Sequence, residues 1–244
     1  MEILSKEFDQ IINARRSVRI YDEKANFDSK IVTKSLERAV LSANSSNMQL
    51  WEFYQVSTKA KKEAIVKACL HQSAARTAAE LVVFVTRQDK WKTRAAWNSA
   101  NMKTQFVGKT LTKKNKRALN YYDKLMPLFY TNDWLGIATL LRFFLLAYHT
   151  ILNKPIIHLV THADQRVTVH KSCALAAQTF MLSMKAEGYD TCPMEGFDER
   201  MVKKALNLPS SAEICMVMAC GIGKPEGIYS DRTRVDNSEV IFKV

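Results

Sequence analysis

Five consecutive residues, Arg15-Arg16-Ser17-Val18-Arg19, place three cations and a hydroxyl side by side. A guanidinium stays charged at neutral pH and offers a planar fork of donors, so clustered arginines suit a phosphate monoester held by paired, charge-assisted hydrogen bonds. Ser17 adds a neutral donor. The competing reading is a solvated basic face or a nonspecific polyanion patch. A second basic cluster, Arg232-Thr233-Arg234, comes after Gly221-Ile222-Gly223-Lys224 near the other end of the chain. The two clusters either converge on one phosphate or the second is an exposed charged tail.

Two uncharged segments have compositions suited to a flat heterocycle. Asn44-Ser45-Ser46-Asn47-Met48-Gln49-Leu50-Trp51 is a run of short donors and acceptors ending at an aromatic, able to bond a polar ring edge while Trp51 anchors the next strand. It reads equally as an ordinary helix-to-strand loop. In Thr191-Cys192-Pro193-Met194-Glu195-Gly196-Phe197, proline stiffens the backbone and glycine permits close approach of a planar ligand, unless the pair simply makes a turn.

Other residues invite chemistry and are read as structural. His158 and His162 are four apart, as on one helical face, but no H-E-x-x-H pattern accompanies them and no metal site is expected. Cys192 has no second cysteine in sequence reach to resolve it, so a packed thiol is expected. The five cysteines form an odd set with no C-x-x-C pair, which argues against both a disulfide framework and a structural zinc site. Lys103, Lys109, Lys113, Lys114, Lys116 and Arg117 form an acid-free run without aromatic interleaving or a recognition motif, hence a solvated helix face rather than a nucleic-acid stripe.

The elements that must position these residues can be read from periodicity. The chain has 244 residues, 47% of them apolar, enough for a sizeable core, and its net charge of +12 favours anionic partners. Helices are expected at Lys6–Ala14, Ser29–Ser42, Lys59–Leu70, Thr168–Ala186 and Glu199–Asn207, and strands at Phe53–Val56, Leu81–Val85 and Glu213–Cys220. A helical middle runs from Trp91 to Asn153, broken near Pro127 to Asp133, where Asn132 and Asp133 offer caps. Trp134 to Tyr148 is the most apolar stretch, too short for a bilayer and interrupted by Arg142, so a buried or interface helix is expected and no membrane partner. The start MEILSKEFDQ lacks a secretory apolar core, and a cytoplasmic protein is expected. Helices with a few nonlocal strands make an α+β core.

Taken in order, RRSVR, SSNMQLW, ALAAQTFMLSMKAEGYDTCPMEGF and the C-terminal basic motif resemble the FMN-dependent nitroreductase family, particularly its oxygen-insensitive NAD(P)H nitroreductase and flavin reductase branch, over residues 10–57 and 167–234. The resemblance implies one nitroreductase-like α+β domain over residues 1–244, a central, mostly antiparallel sheet flanked by helices, with a divergent helical region at about 88–165. It also implies an intertwined homodimer with FMN at the subunit interface. Arg15, Arg16 and Ser17 would then lie at the flavin phosphate and ribityl chain, Arg19 near N1 and the C2 carbonyl, and Arg232 and Arg234 would complete the phosphate site. Asn44, Ser45, Ser46 and Asn47 would approach from the partner subunit, and Pro193, Met194, Glu195 and Gly196 would border the ring near N5. A polar residue at the pyrimidine edge falls at His71 or Gln72. Prolines common in the family's loop are replaced by Ala43 and Leu50, so its backbone path is expected to differ.

The implied activity is ping-pong transfer from NADH or NADPH through flavin N5 to nitroaromatic, quinone or free-flavin acceptors, with no obligatory protein acid, base or nucleophile. Alternatives are a flavin-binding sensor or storage protein, dehalogenation or enone reduction on the same scaffold, and a nucleic-acid-binding module.

Overall fold

The computed structural model describes residues 2–244. Its centre is a four-stranded antiparallel sheet of β1 (Trp51–Val56), β2 (Glu80–Thr86), β3 (Asp190–Met194) and β4 (Glu213–Gly221), in the order β1-β2-β4-β3. The sequence ELVVFVT of β2 is apolar and β-branched because both faces of this strand are covered. Leu81, Val83 and Val85 meet Ile65, Ala68 and Val202 on one side, while Val82 and Phe84 meet Cys173, Ala177 and Phe180 on the other. Each such fully buried side chain contributes about 1.5–3 kcal/mol of transfer free energy.

The first layer is built by α3 (Lys59–Ala68), α4 (Ser73–Thr77) and α10 (Glu199–Leu206); the second by α9 (His162–Ala186), against which α2 (Ser29–Val40) also packs. Helix α1 (Glu2–Ala14) precedes them. Between β2 and α9 come α5 (Trp91–Gln105), α6 (Lys113–Asn120), a π-turn at Tyr121–Leu125, α7 (Met126–Tyr130) and α8 (Ile137–Ile151). The chain adopts the expected α+β class.

Several local expectations are corrected. The stretch Thr191–Phe197 is not a loop throughout: Asp190–Met194 is strand β3, and Pro193 fits because β3 is an edge strand, where a missing N–H removes no interior ladder bond. Helix α9 starts at His162 rather than Thr168, because Thr161 and Asp164 make a reciprocal capping box. Pro127 does not break the middle region but sits in the first turn of α7, where its missing N–H costs nothing; the break lies at residues 131–136. Asp133 does cap helix α8, its two carboxylate oxygens accepting the Ile137 and Ala138 amides at 2.8 and 2.7 Å. Those bonds hold its carboxyl below the usual range.

Helix α8 is not buried. Arg142 is covered, yet Ile137, Phe144 and Tyr148 are each more than half exposed. His158 and His162 do not share a helical face, because His158 lies in the irregular segment before α9. The basic run is likewise split: Lys103 belongs to α5 and pairs with Asp123 at 3.7 Å, whereas Lys113 to Arg117 lie on α6 beyond a turn.

Candidate functional site

Past Ala14 the chain leaves α1 and runs extended, sewn into the molecule on both sides. The Val18 amide donates to Thr191 O at 3.1 Å, Arg19 N to Gly227 O at 2.9 Å and Lys224 N to Ile20 O at 3.0 Å. Val18 and Tyr21 point inward and are buried, and the Tyr21 hydroxyl donates to Ala219 O at 3.1 Å. Arg19, between them, therefore faces outward. Glycine is required where the two segments touch: a Cβ on Gly227 would sit 2.6 Å from Ile20 O and 2.8 Å from the Val18 side chain.

This threading brings the two basic clusters together. Arg15, Arg16, Ser17, Arg19, Arg232 and Arg234 line one cavity of about 260 Å³, with Asp231 and Tyr229 in its wall. Its closure is made by the arginines themselves. Arg16 donates to Ser230 O at 2.5 Å, and Arg232 donates to Arg15 O at 2.5 Å and to Ile12 O and Asn13 O at 3.2 Å. Arg232 thus also caps the carbonyl end of α1, where a cation is favourable. The cations are not neutralised by one another: burial, then Arg232, Arg234 and Arg16, hold the Arg15 guanidinium below its ordinary range.

A second cavity, of about 320 Å³, shares Arg19 and Tyr229 with the first. Arg19 lies 5.2 Å from the Tyr229 ring centroid, so a cation–π contact forms the boundary between them. Beyond it the lining is Gln72, Ser73, Ala74, Cys192, Pro193, Met194 and Glu195. Gln72, not His71, faces this space; its amide donates to Gly196 O at 2.6 Å. Gly196 is narrow for a reason, since a Cβ there would lie 3.2 Å from Gln72 Nε2. Burial pushes the Cys192 thiol up, against the pull of Arg19 and Arg15.

The Asn44–Asn47 segment lines neither cavity within one chain. It is held by the middle region instead. Ser46 Oγ lies 2.5 Å from the Tyr121 hydroxyl, Tyr122 donates to Ser46 O at 3.0 Å, and Asn47 and Asn98 exchange amide bonds. Ser46, Asn47 and Gln49 all have positive φ, a left-handed backbone that is costly away from glycine and that these clamps must maintain. Trp51 is buried at the start of β1, stacked on Phe53.

Tyr229 and Asp231 were not among the sequence-read candidates. Their only signal is adjacency to Arg232, which composition alone does not distinguish from tail.

An antiparallel sheet between helical layers, with a polycationic groove where two distant segments of the chain cross its rim, defines an α+β protein with a concentrated positive cleft. The chain belongs to the nitroreductase family: the family's model matches residues 12–222. YdgI of Bacillus subtilis, provisionally named an NAD(P)H nitroreductase, is 22% identical over 96% of this chain and 97% of its own. Among solved structures, the Bacillus subtilis protein ydfN superposes with a TM-score of 0.74 at 20% identity, covering 98% of this chain and 100% of its own. A protein of Exiguobacterium sibiricum solved in complex with FMN gives 0.64 at 20% identity, covering 97% of both chains. At these identities the solved structures establish the shared fold.

Proposed function

We propose that the chain is an FMN-dependent oxidoreductase that takes electrons from NADH or NADPH and passes them to nitroaromatic, quinone or related small acceptors, as a homodimer in the cytoplasm. The observation that carries the reading is the convergence of the arginine cluster. Five guanidiniums from opposite ends of the chain share one cavity, and Arg15 is depressed by burial and then by three of its neighbours. A phosphate dianion relieves that repulsion and accepts paired bonds from the same donors. The adjoining cavity meets the cluster at Arg19, as a ligand with a phosphate at one end and a flat ring at the other requires.

Bound there, FMN supplies two-electron chemistry at N5 and a ping-pong course. Arg15, Arg16, Ser17, Arg232 and Arg234 hold the phosphate. Arg19 sets a fixed cation beside the ring, where it stabilises negative charge on reduction. Gln72 offers its amide to the ring's polar edge, and the stiff Pro193–Gly196 turn presents main-chain groups to its other side. Asn44, Ser45, Ser46 and Asn47 serve the site of the partner subunit, which accounts for a strained, clamped loop that lines neither cavity of its own arginine site. The exposed apolar side of α8 supplies surface for the subunit contact. No helix among the described residues is long and apolar enough to cross a membrane.

The test is the visible spectrum of the purified protein, followed by anaerobic mixing with NADH or NADPH. A yellow protein that bleaches is expected. A yellow protein that stays oxidised makes it a flavin carrier or sensor, and a colourless one that cannot be reconstituted with FMN sinks the reading.

A further inference from the structure

A second group of reactive side chains lies on the α9 side of the sheet, away from the arginines. Pairing between β2 and β4 steps from Phe84↔Met216 to Val85↔Ile214, so Cys215 is the extra residue of a β-bulge. Met216 and Met218 face α9, and Val217 and Ala219 face the opposite layer. The bulge breaks this alternation and turns Cys215 towards α9 as well, where it packs on the cluster containing Cys173. Cys215 is half-buried and opens into a cavity of about 390 Å³ lined also by Arg166, His170, Lys171 and Glu195. The Cys215 S–H donates to His170 O at 3.9 Å, and Cys173 lies one helical turn beyond His170 on α9, in the cluster against which Cys215 packs. His170 Nε2 is 2.8 Å from Glu213 Oε2, which leaves the other ring nitrogen for Cys215. Glu213 is itself paired with Arg166.

We propose that Cys215 and Cys173 are a hydroperoxide-responsive thiol pair: Cys215 attacks as the thiolate, Cys173 resolves it, and the His170–Glu213 couple is the positioning device. Cys173 and His170 draw the Cys215 thiol below its ordinary range, against its burial. His170 in turn is raised by Cys215 and Glu213 against its burial, so each member of the couple favours the charged form of the other. Arg166 and Lys171 add positive charge around the pair; Glu195 and Glu213 oppose it. Cys69, Cys192 and Cys220 have no comparable setting, and burial pushes each of them up.

The thiolate sulfur attacks one peroxide oxygen. The O–O bond breaks, sulfur is oxidised by two electrons to the sulfenic acid, and the departing hydroxide or alkoxide takes a proton from His170 or water. Cys173 sulfur then bonds to Cys215 sulfur, and the sulfenic hydroxyl leaves as water with the Cys173 proton. Neither step draws on the flavin reading.

Treatment of the full-length protein with stoichiometric hydrogen peroxide tests this by thiol titration and non-reducing peptide mapping. Two of the five thiols are expected to disappear into a Cys173–Cys215 disulfide that dithiothreitol reverses. Cys173→Ser should stop at a Cys215 sulfenic acid trapped by dimedone. His170→Asn should move the pH profile of iodoacetamide capture at Cys215 upward. Five surviving thiols in the wild-type protein, a disulfide joining other cysteines, or an unshifted capture profile in the His170 variant overturns the proposal.

Discussion

The two ends of the chain and its helical middle handle buried or crowded arginines in opposite ways. At the ends, Arg15, Arg16, Arg19, Arg232 and Arg234 line one groove, and the bonds that Arg16 and Arg232 make there go to main-chain oxygens. In the middle, Arg142 is buried and all its donors are spent on protein: Val160 O, Leu128 O and Thr131 O at 2.7, 3.0 and 2.7 Å, with Asn132 and Thr139 taking the rest. On the reading proposed above, the first set is arranged for a ligand, whereas Arg142 ties the middle region together from within. Guanidiniums serve a site only where their partners are withheld by the fold.

The largest effect expected from this contrast is in the groove. Replacing Arg15 and Arg234 together by alanine removes several charged hydrogen bonds, each contributing about 1.5–3 kcal/mol, and should weaken FMN binding at least about a hundredfold. Because neither side chain lies in a core cluster, the unfolding midpoint of the apoprotein should be unchanged or higher as repulsion is relieved. Fluorescence titration with FMN and urea unfolding check the two halves. Unaltered affinity would remove the groove from the cofactor site.

Arg142→Met should do the reverse. A thioether of similar length fills the volume but leaves three carbonyls without their donor, and each such loss costs about 1–3 kcal/mol. A fall of at least about 3 kcal/mol in unfolding free energy is expected, with little change in FMN affinity. Replacement of a buried ion by an apolar group is sometimes neutral, so a variant as stable as the parent would mean that water from the cavity bordering Arg142 takes over the carbonyls.

Local chemistry was the part of this molecule open to reading before folding. RRSVR declares cations by type alone, and β2 declares itself by an unbroken β-branched run. Features that depend on a distant partner were not legible. The start of α9 reads HADQRV, too polar for periodicity, and only the Thr161–Asp164 reciprocity marks it. Strand β3 is hidden by Pro193, acceptable only because the sheet ends there. His71 and Gln72 are equivalent in sequence, and the left-handed backbone at Leu70 and His71 decides between them. Cys173 and Cys215 are 42 residues apart and meet only because a bulge re-aims one of them.

Gly227→Ala sharpens the comparison on the side of the ends. Its Cβ would come 2.6 Å from Ile20 O, a backbone atom that cannot swing away, so the strand carrying the arginines must shift. Overpacking of this kind costs about 1–3 kcal/mol. Stability and FMN affinity should fall together here, whereas they separate in both arginine variants. Loss of stability with full affinity would show that the groove tolerates displacement of its own floor.

The smallest expected effect is electrostatic and pH-dependent. Glu52 on β1 accepts from Lys90, from Tyr54 at 2.8 Å and from Arg87 at 2.6 Å, tying the start of the middle region to the sheet. Burial pushes its carboxyl up, but the three donors outweigh burial and hold it below its ordinary 4.5. A depressed folded value means that the unfolded chain binds the proton first. The contribution of Glu52 is therefore complete above 4.5 and is lost as pH falls through the lower folded value. Glu52→Gln should cost about 1 kcal/mol at neutral pH and should flatten the acid limb of the stability curve. If the variant loses stability equally at pH 7 and pH 3, the tie is one of shape and hydrogen bonding, and charge has no share in joining the middle region to the sheet.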